Sequence, residues 1–229
     1  MGNEPIFPPE IERDVFETTA LMHPGTIPPL LRVARRVLIW IEPLLYRVIR
    51  ADQDNNSMVR ALQDAMESKP PEFFRNAVRH LALDSLSACS EDQGRQLLAL
   101  CKGVVNFGSN YGFTSPALLP LLAEVRIQRL CLTLADLFGR KPIDLTHPLF
   151  RSVTHLDIFG LRGVVPVLAD MPLLPALTHL CLDCDIPRDA LLGVLAACPR
   201  SDCCWSSGKG RTGIRMQRSG SPVRMMCGL

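Results

Sequence analysis

Two stretches decide how this chain folds: Val153-Thr154-His155-Leu156-Asp157-Ile158 and Leu177-Thr178-His179-Leu180-Cys181-Leu182. Each carries an apolar residue at its first, fourth and sixth places. The same phrase stands earlier as Val78-Arg79-His80-Leu81-Ala82-Leu83 and as Ile127-Gln128-Arg129-Leu130-Cys131-Leu132, with a weaker copy at Val105-Asn106-Phe107. With Leu81, Val105, Leu130, Leu156 and Leu180 as equivalent positions, the steps are 24, 25, 26 and 24 residues. Leucines placed at random do not keep such spacing, and a period of about 25 residues marks a chain built from stacked units that each bury a face on their neighbours.

Alternation within the phrase is the pattern of a short strand whose successive side chains face opposite ways. Leu81/Leu83, Leu130/Leu132, Leu156/Ile158 and Leu180/Leu182 then point into the stack. His80, Arg129, His155 and His179 form one outward ladder, and Ala82, Asn106, Cys131, Asp157 and Cys181 form the next. Between the strands, residues 92–101, 116–125, 164–170 and 188–198 read as helices, with Pro116 and Pro187 at or just before helix starts, where a missing N–H costs nothing. The expectation is an α/β chain of parallel strands plus helices over residues 78–200. A parallel α/β domain of another topology is the alternative.

The phrase apolar-x-x-Leu-x-Leu resembles the leucine-rich repeat. That resemblance implies a short solenoid of about five units whose outward ladder, His80, Asn106, Arg129, Cys131, His155, Asp157, His179 and Cys181, faces a protein substrate.

Ahead of the repeats, Pro8 and Pro9 precede a helical run in which Ile11, Val15 and Phe16 share a face, ended by His23-Pro24-Gly25. After Pro28-Pro29, Leu30, Val33, Ala34 and Val37 recur at helical spacing with Arg32, Arg35 and Arg36 opposite, which predicts a second amphipathic helix. Pro43 opens or kinks a third. In order, Pro8-Pro9-Glu10, the run from Val33 to Val37 and Trp40 resemble the F-box, most of all the divergent F-box-like proteins of mushroom-forming fungi. The resemblance implies a three-helix module over residues 5–50. It would dock on the Skp-type linker of a cullin-based ubiquitin ligase through Pro8, Pro9, Glu10, Ile11, Val15, Phe16, Val33 and Trp40. The alternative reading of the same helices is a cap over the open end of the stack, with no ubiquitin role. Residues 51–77 read as a polar linker, Asp52-Gln53-Asp54-Asn55-Asn56, and a bridging helix from Met58 to Glu67 followed by Phe73-Phe74.

The remaining signals are exclusions. Lys and Arg number 25 against 23 Asp and Glu, so nothing in the charge calls for a nucleic-acid or membrane-surface partner. Apolar runs such as Val37 to Ile41 stop far short of the roughly 20 residues of a membrane span. Nine cysteines, an odd number, and no readable secretory signal point to the cytoplasm or nucleus. Gly2 follows Met1, but Ile6 stands where a myristoylation motif needs Ser or Thr. His155, His179, Asp157 and Cys181 have metal-ligand chemistry. Repeats copy their residues, however, and a flat face lacks a closed shell, so no metal is expected. Cys181-x-x-Cys184 has no second pair at useful spacing and reads as packing. There is no phosphate loop, G-x-S-x-G or H-E-x-x-H, hence no cofactor and no enzyme is expected.

After Arg200 a further strand is due near residue 205, yet the chain reads Ser201-Asp202-Cys203-Cys204-Trp205-Ser206-Ser207-Gly208. Residues 201–229 hold five basic residues and one acidic, which predicts a disordered basic tail or a departure from the natural reading frame.

Overall fold

Alternation of dry and wetter positions runs through the strands: the burial of β4 (Arg129–Leu132) and β5 (His155–Phe159) switches at every residue. The computed structural model describes residues 7–51, 56–84, 90–110, 112–160, 165–168, 170–171, 174–183, 202–206 and 214–216. Its other parallel strands are β1 (Val48–Ala51), β2 (His80–Leu83), β3 (Asn106–Ser109) and β6 (His179–Asp183). From β1 to β6 they lie side by side in sequence order and pair parallel. β7 (Asp202–Ser206) adds parallel to β6, and β8 (Ile214–Met216) pairs antiparallel with β7. The chain is a mixed α/β protein around a parallel sheet.

The register aligns Leu81, Phe107, Leu130, Leu156 and Leu180 across five strands, none more than 2% exposed. Onto this row pack α6 (Glu91–Leu100) through Leu97 and Leu98, and α7 (Leu119–Ala123) through Leu122. α8 (Leu134–Leu137) adds Leu134 and Leu137, and α9 (Val165–Leu168) adds Val167 and Leu168. α6 starts where Ser90 sets a reciprocal cap: its hydroxyl accepts from Gln93 N–H at 3.2 Å and the Gln93 side chain accepts from Ser90 N–H at 2.8 Å. The predicted helix at 188–198 lies outside the described residues, as do Pro187, Cys184 and the polar run 52–55.

A backbone device repeats at the entrances of β2 to β6. The carbonyl of Arg47 accepts from the N–H groups of Arg79 and His80, and that of Arg79 from Val105 and Asn106. Those of Val105, Gln128 and Thr154 do the same for residues 128/129, 154/155 and 178/179, all at 2.8–3.1 Å. This pairing identifies equivalent positions without reference to side chains.

It also corrects the sequence phase. Val105 is the counterpart of Thr154, so Phe107, and not Val105, takes the inward place beside Leu130. Asn106 moves with it into the ladder of His80 and Arg129, and Gly108 takes its place beside Cys131. The second inward place of β3 is Ser109, 2% exposed, whose hydroxyl is 2.7 Å from that of Thr114. A buried polar residue there hid the strand's phase.

The sheet begins earlier than residue 78. Val48–Ala51 is its first strand, with Ile49 beside Leu81, so these residues belong to the sheet and not to the end of the helical module or to the linker. Before it come α1 (Pro9–Met22), α2 (Ile27–Leu30) and α3 (Arg35–Leu45). A continuous helix through Leu30, Val33, Ala34 and Val37 does not form. The chain turns at residues 31–33, and Ala34, extended at φ −161° and ψ 157°, starts a new helix that contains Pro43 within its last turn. Ala20, Ile27, Val37 and Ile41 make a second, small core, packed round by Phe16, Leu31, Trp40 and Leu44. α4 (Asn56–Ser68) and α5 (Pro71–Ala77) follow β1. Tyr46 meets Phe73 and Phe74 edge-on at 5.2 and 6.1 Å, joining the end of α3 to the main core. Lys69 pairs with Glu42 at 2.8 Å across the same junction.

Disorder across the whole of 201–229 is not what the structure has. Residues 202–206 take the strand position that the period called for, with Cys203 opposite Leu180 and Trp205 opposite Leu182. The remainder of the tail, apart from β8, lies outside the described residues. Among the described residues no helix is long and apolar enough to cross a membrane.

Leu156, fully buried in the aligned row, sets the expected scale of core damage. Leu156→Ala is expected to cost about 2–5 kcal/mol of unfolding free energy in denaturant titration, whereas Gln128→Ala, exposed one strand away, stays within about 0.5 kcal/mol.

Candidate functional site

Every described helix that joins the main core does so with the inward strand residues, so among the described residues none of these helices layers the outward sheet face. Parallel sheets are usually covered on both sides. Here the outward residues His80, Asn106, Arg129, His155 and His179 stand in one register row, part-buried or exposed. Ala82, Gly108, Cys131, Asp157 and Cys181 stand in the next. All eight ladder residues foreseen from the sequence therefore lie on this face, with Asn106 moved by one row. Val48, 51% exposed, extends the first row onto β1 and Arg50 extends the second, both missed because β1 was.

The imidazoles are held by local chemistry. His155 and His179 stack with centroids 4.0 Å apart and planes 5° from parallel. The Thr154 hydroxyl lies 3.0 Å from the Gln128 carbonyl and 2.9 Å from His155 Nδ1. A carbonyl cannot donate, so the single hydroxyl proton goes to it and the hydroxyl accepts from Nδ1–H. His155 is then the Nδ1–H tautomer, with its Nε2 lone pair on the far edge of the ring. Thr178 repeats the arrangement beside His179. His80 is the opposite case: the Asn106 amide donates to its Nδ1 at 2.7 Å, leaving Nε2 with the proton.

Charge follows from this crowding. Burial, then the neighbouring His179 ring and the Arg129 guanidinium, hold His155 down at about 4 against its ordinary 6.5. Burial, Arg47 and Arg129 lower His80 in the same way. Asp157 sits between Cys131 and Cys181 in register. Burial raises its carboxyl above the ordinary value, against the thiols of Cys181 and Cys131, which donate to it, and the charge of Arg129. The first row thus carries the Arg129 guanidinium beside two imidazoles, His80 and His155, whose charged forms are disfavoured. Although His155, His179, Asp157 and Cys181 are neighbours as expected, no cluster of three or more His, Cys, Asp or Glu among the described residues is placed to hold a metal ion. Cys101, buried in the main core, has its thiol pushed up to about 12 by that burial and is outside any such surface.

The second candidate surface is on the helical module. Of the docking residues expected from the sequence, Pro8, Pro9 and Glu10 are exposed, as are Ile11 at 49%, Val15 at 55% and Val33 at 58%. Phe16 and Trp40 are not on that surface; they pack round the small core. Sequence reasoning missed Met22, Ile39 and Leu45, which are also large, apolar and exposed. α1 and α3 are tied by a two-pronged pair, Arg36 donating to both carboxylate oxygens of Glu12 at 2.9 and 2.7 Å, and this pair lowers the Glu12 carboxyl. Ile11 and Val15, one turn apart on α1, therefore belong to a helix that Glu12, three residues before Val15, ties to α3.

Comparison with protein-family models and with curated proteins finds no match to this chain.

The depressed His155 has a consequence for stability. As pH falls through the window from 6.5 to about 4, the unfolded chain takes up a proton that folded His155 refuses, so stability is lost across that window. His155→Gln is expected to lose less melting temperature than the wild type between about pH 7.5 and about pH 5, measured by thermal denaturation at matched ionic strength.

Proposed function

We propose that this chain is a non-enzymatic adaptor, the substrate-receptor subunit of a Skp/cullin/F-box-type ubiquitin ligase working in the cytoplasm or nucleus. In this reading the helices before β1 form an F-box-like module that docks the Skp-type linker. The strand–helix units form a leucine-rich-repeat-like solenoid whose open face holds a protein substrate.

One observation carries the reading. The helical module has its own closed core of Ala20, Ile27, Val37 and Ile41, and still leaves Ile11, Val15 and Met22 on α1 and Ile39 and Leu45 on α3 exposed. Apolar side chains spent on neither the small core nor the main one suit a partner's groove. Support for the substrate-holding half comes from the strand order and from the uncovered polar face of the sheet.

The junction favours a second reading. Tyr46 against Phe73 and Phe74, with Glu42 on Lys69, is the kind of contact by which a helical cap seals the end of a stack, without any link to ubiquitin.

The two readings part on a variant that touches no core. In the docking reading, the full chain retains a Skp-type linker on an affinity resin, and the double variant Ile11→Glu, Val15→Glu weakens retention at least tenfold, about 1.4 kcal/mol or more, while the melting temperature holds. No retention of the wild type above resin alone, or retention that the double variant leaves unchanged, removes the docking reading.

A further inference from the structure

Arg129 stands at the centre of the open face, a guanidinium in a row of rings and amides. Arg36 is paired with Glu12 and Arg50 with Asp84, but Arg129, exposed on the middle strand of the first row, forms no ion pair among the described residues. Its register neighbours are Asn106 on β3 and His155 on β5. Of the acids in register on this face, Asp157 is in the second row and engaged by the thiols of Cys131 and Cys181, and Asp202 stands on β7 beside His179, three strands from Arg129.

From this geometry we infer that the open face binds an acidic segment of a partner protein, seating a carboxylate between the Arg129 guanidinium and the His155 ring, with one proton taken up at His155 Nε2 as it docks. The inference rests on the reading of the strand face as the substrate-holding surface and names the chemistry of what that surface takes.

Adjacent strands stand about 4.8 Å apart, so one carboxylate reaches the side chains of register partners Arg129 and His155 together. Its oxygens accept from the guanidinium at once. Nε2 of His155 has a lone pair and no proton to give, because the Thr154 hydroxyl fixes the proton on Nδ1. Protonation at Nε2 converts that acceptor into a charged donor aimed at the carboxylate. Without an anion, the groups facing His155 oppose this step: Arg129 on β4 and the stacked His179 on β6 both lower its proton affinity. Asp157 on its own strand, shared with Cys131 and Cys181, does not offset them. A docked carboxylate reverses the sign of the local field, so binding and proton uptake assist each other. A single fixed cation matches the single charge of a carboxylate. Beside Arg129, Gly108 and Ala82 keep the second row low, and a Cβ at Gly108 would approach Cys131 no closer than 3.7 Å, so an approaching chain finds room there.

The test uses the full chain and a fluorescein-labelled deca-aspartate peptide, with binding read by fluorescence anisotropy at constant salt. Affinity is expected to rise from about pH 8 to about pH 5.5, by at most tenfold per unit for one linked proton. Arg129→Gln is expected to weaken binding about tenfold at each pH, and His155→Gln to flatten the pH trend. Absence of binding overturns the inference. So does binding that Arg129→Gln leaves intact, as capture by the basic C-terminal residues would be, or a pH trend that persists in His155→Gln. Inorganic phosphate displacing the peptide at lower concentration than acetate overturns the choice of a carboxylate. Neither substitution touches α1 or α3, so linker retention by these variants separates failure here from failure of the docking reading.

Discussion

The whole arrangement hangs on a carbonyl that accepts twice. At the entrances of β2 to β6, one backbone oxygen takes two successive N–H groups of the following unit, at Arg47, Arg79, Val105, Gln128 and Thr154 alike. Backbone groups buried without partners are costly, so a unit that offers this oxygen fixes where the next one starts. The aligned row Leu81, Phe107, Leu130, Leu156 and Leu180 then falls into place beneath it. Side chains choose which way the strand faces; the doubled acceptor fixes its level.

Putting the helices on the buried face leaves the opposite one to be made compatible with water. The sheet does this with rings, amides and thiols in place of a second layer, and the polar groups there satisfy each other locally: Thr154 with His155, Thr178 with His179, Asn106 with His80. Such a face is ordered before any partner arrives, which keeps down the cost of ordering side chains on binding. Crowding the rings also keeps His155 neutral, so the same feature that orders the face makes it responsive to charge.

Legibility in the sequence tracked how strongly each unit used leucine. β2, β4, β5 and β6 carry Leu or Ile at both inward places and were found with the right phase. β3 carries Phe107 and Ser109, and the pull of Val105 set it two residues early. β1 fits the phrase only as Tyr46, Ile49 and Ala51, and it precedes β2 by 32 residues at matched positions, longer than the other steps, so periodicity passed over it. β7 places Cys203 and Trp205 at inward register positions, where Gly and Ser immediately afterwards suggested a break. In the helical module, spacing alone merged residues 30–37 into one helix; nothing in Leu31-Arg32-Val33 marks a turn, and only the packing of Leu31 and Ala34 round the small core requires it. The outward ladder was readable because alternation fixes it once the strands are known. Tautomers, ring stacking and the isolation of Arg129 depend on neighbours one strand away, which spacing cannot supply.

Strand order equal to chain order has a further bearing, on how the molecule is made. Each contact between neighbouring strands closes a loop of a single unit, and since closure entropy grows only slowly with length, no junction between β1 and β6 is much harder to form than another. Growth from any adjacent pair proceeds outward in both directions, adding one doubled acceptor and one leucine-sized step at a time. The end units, held from one side only, are the first to fray.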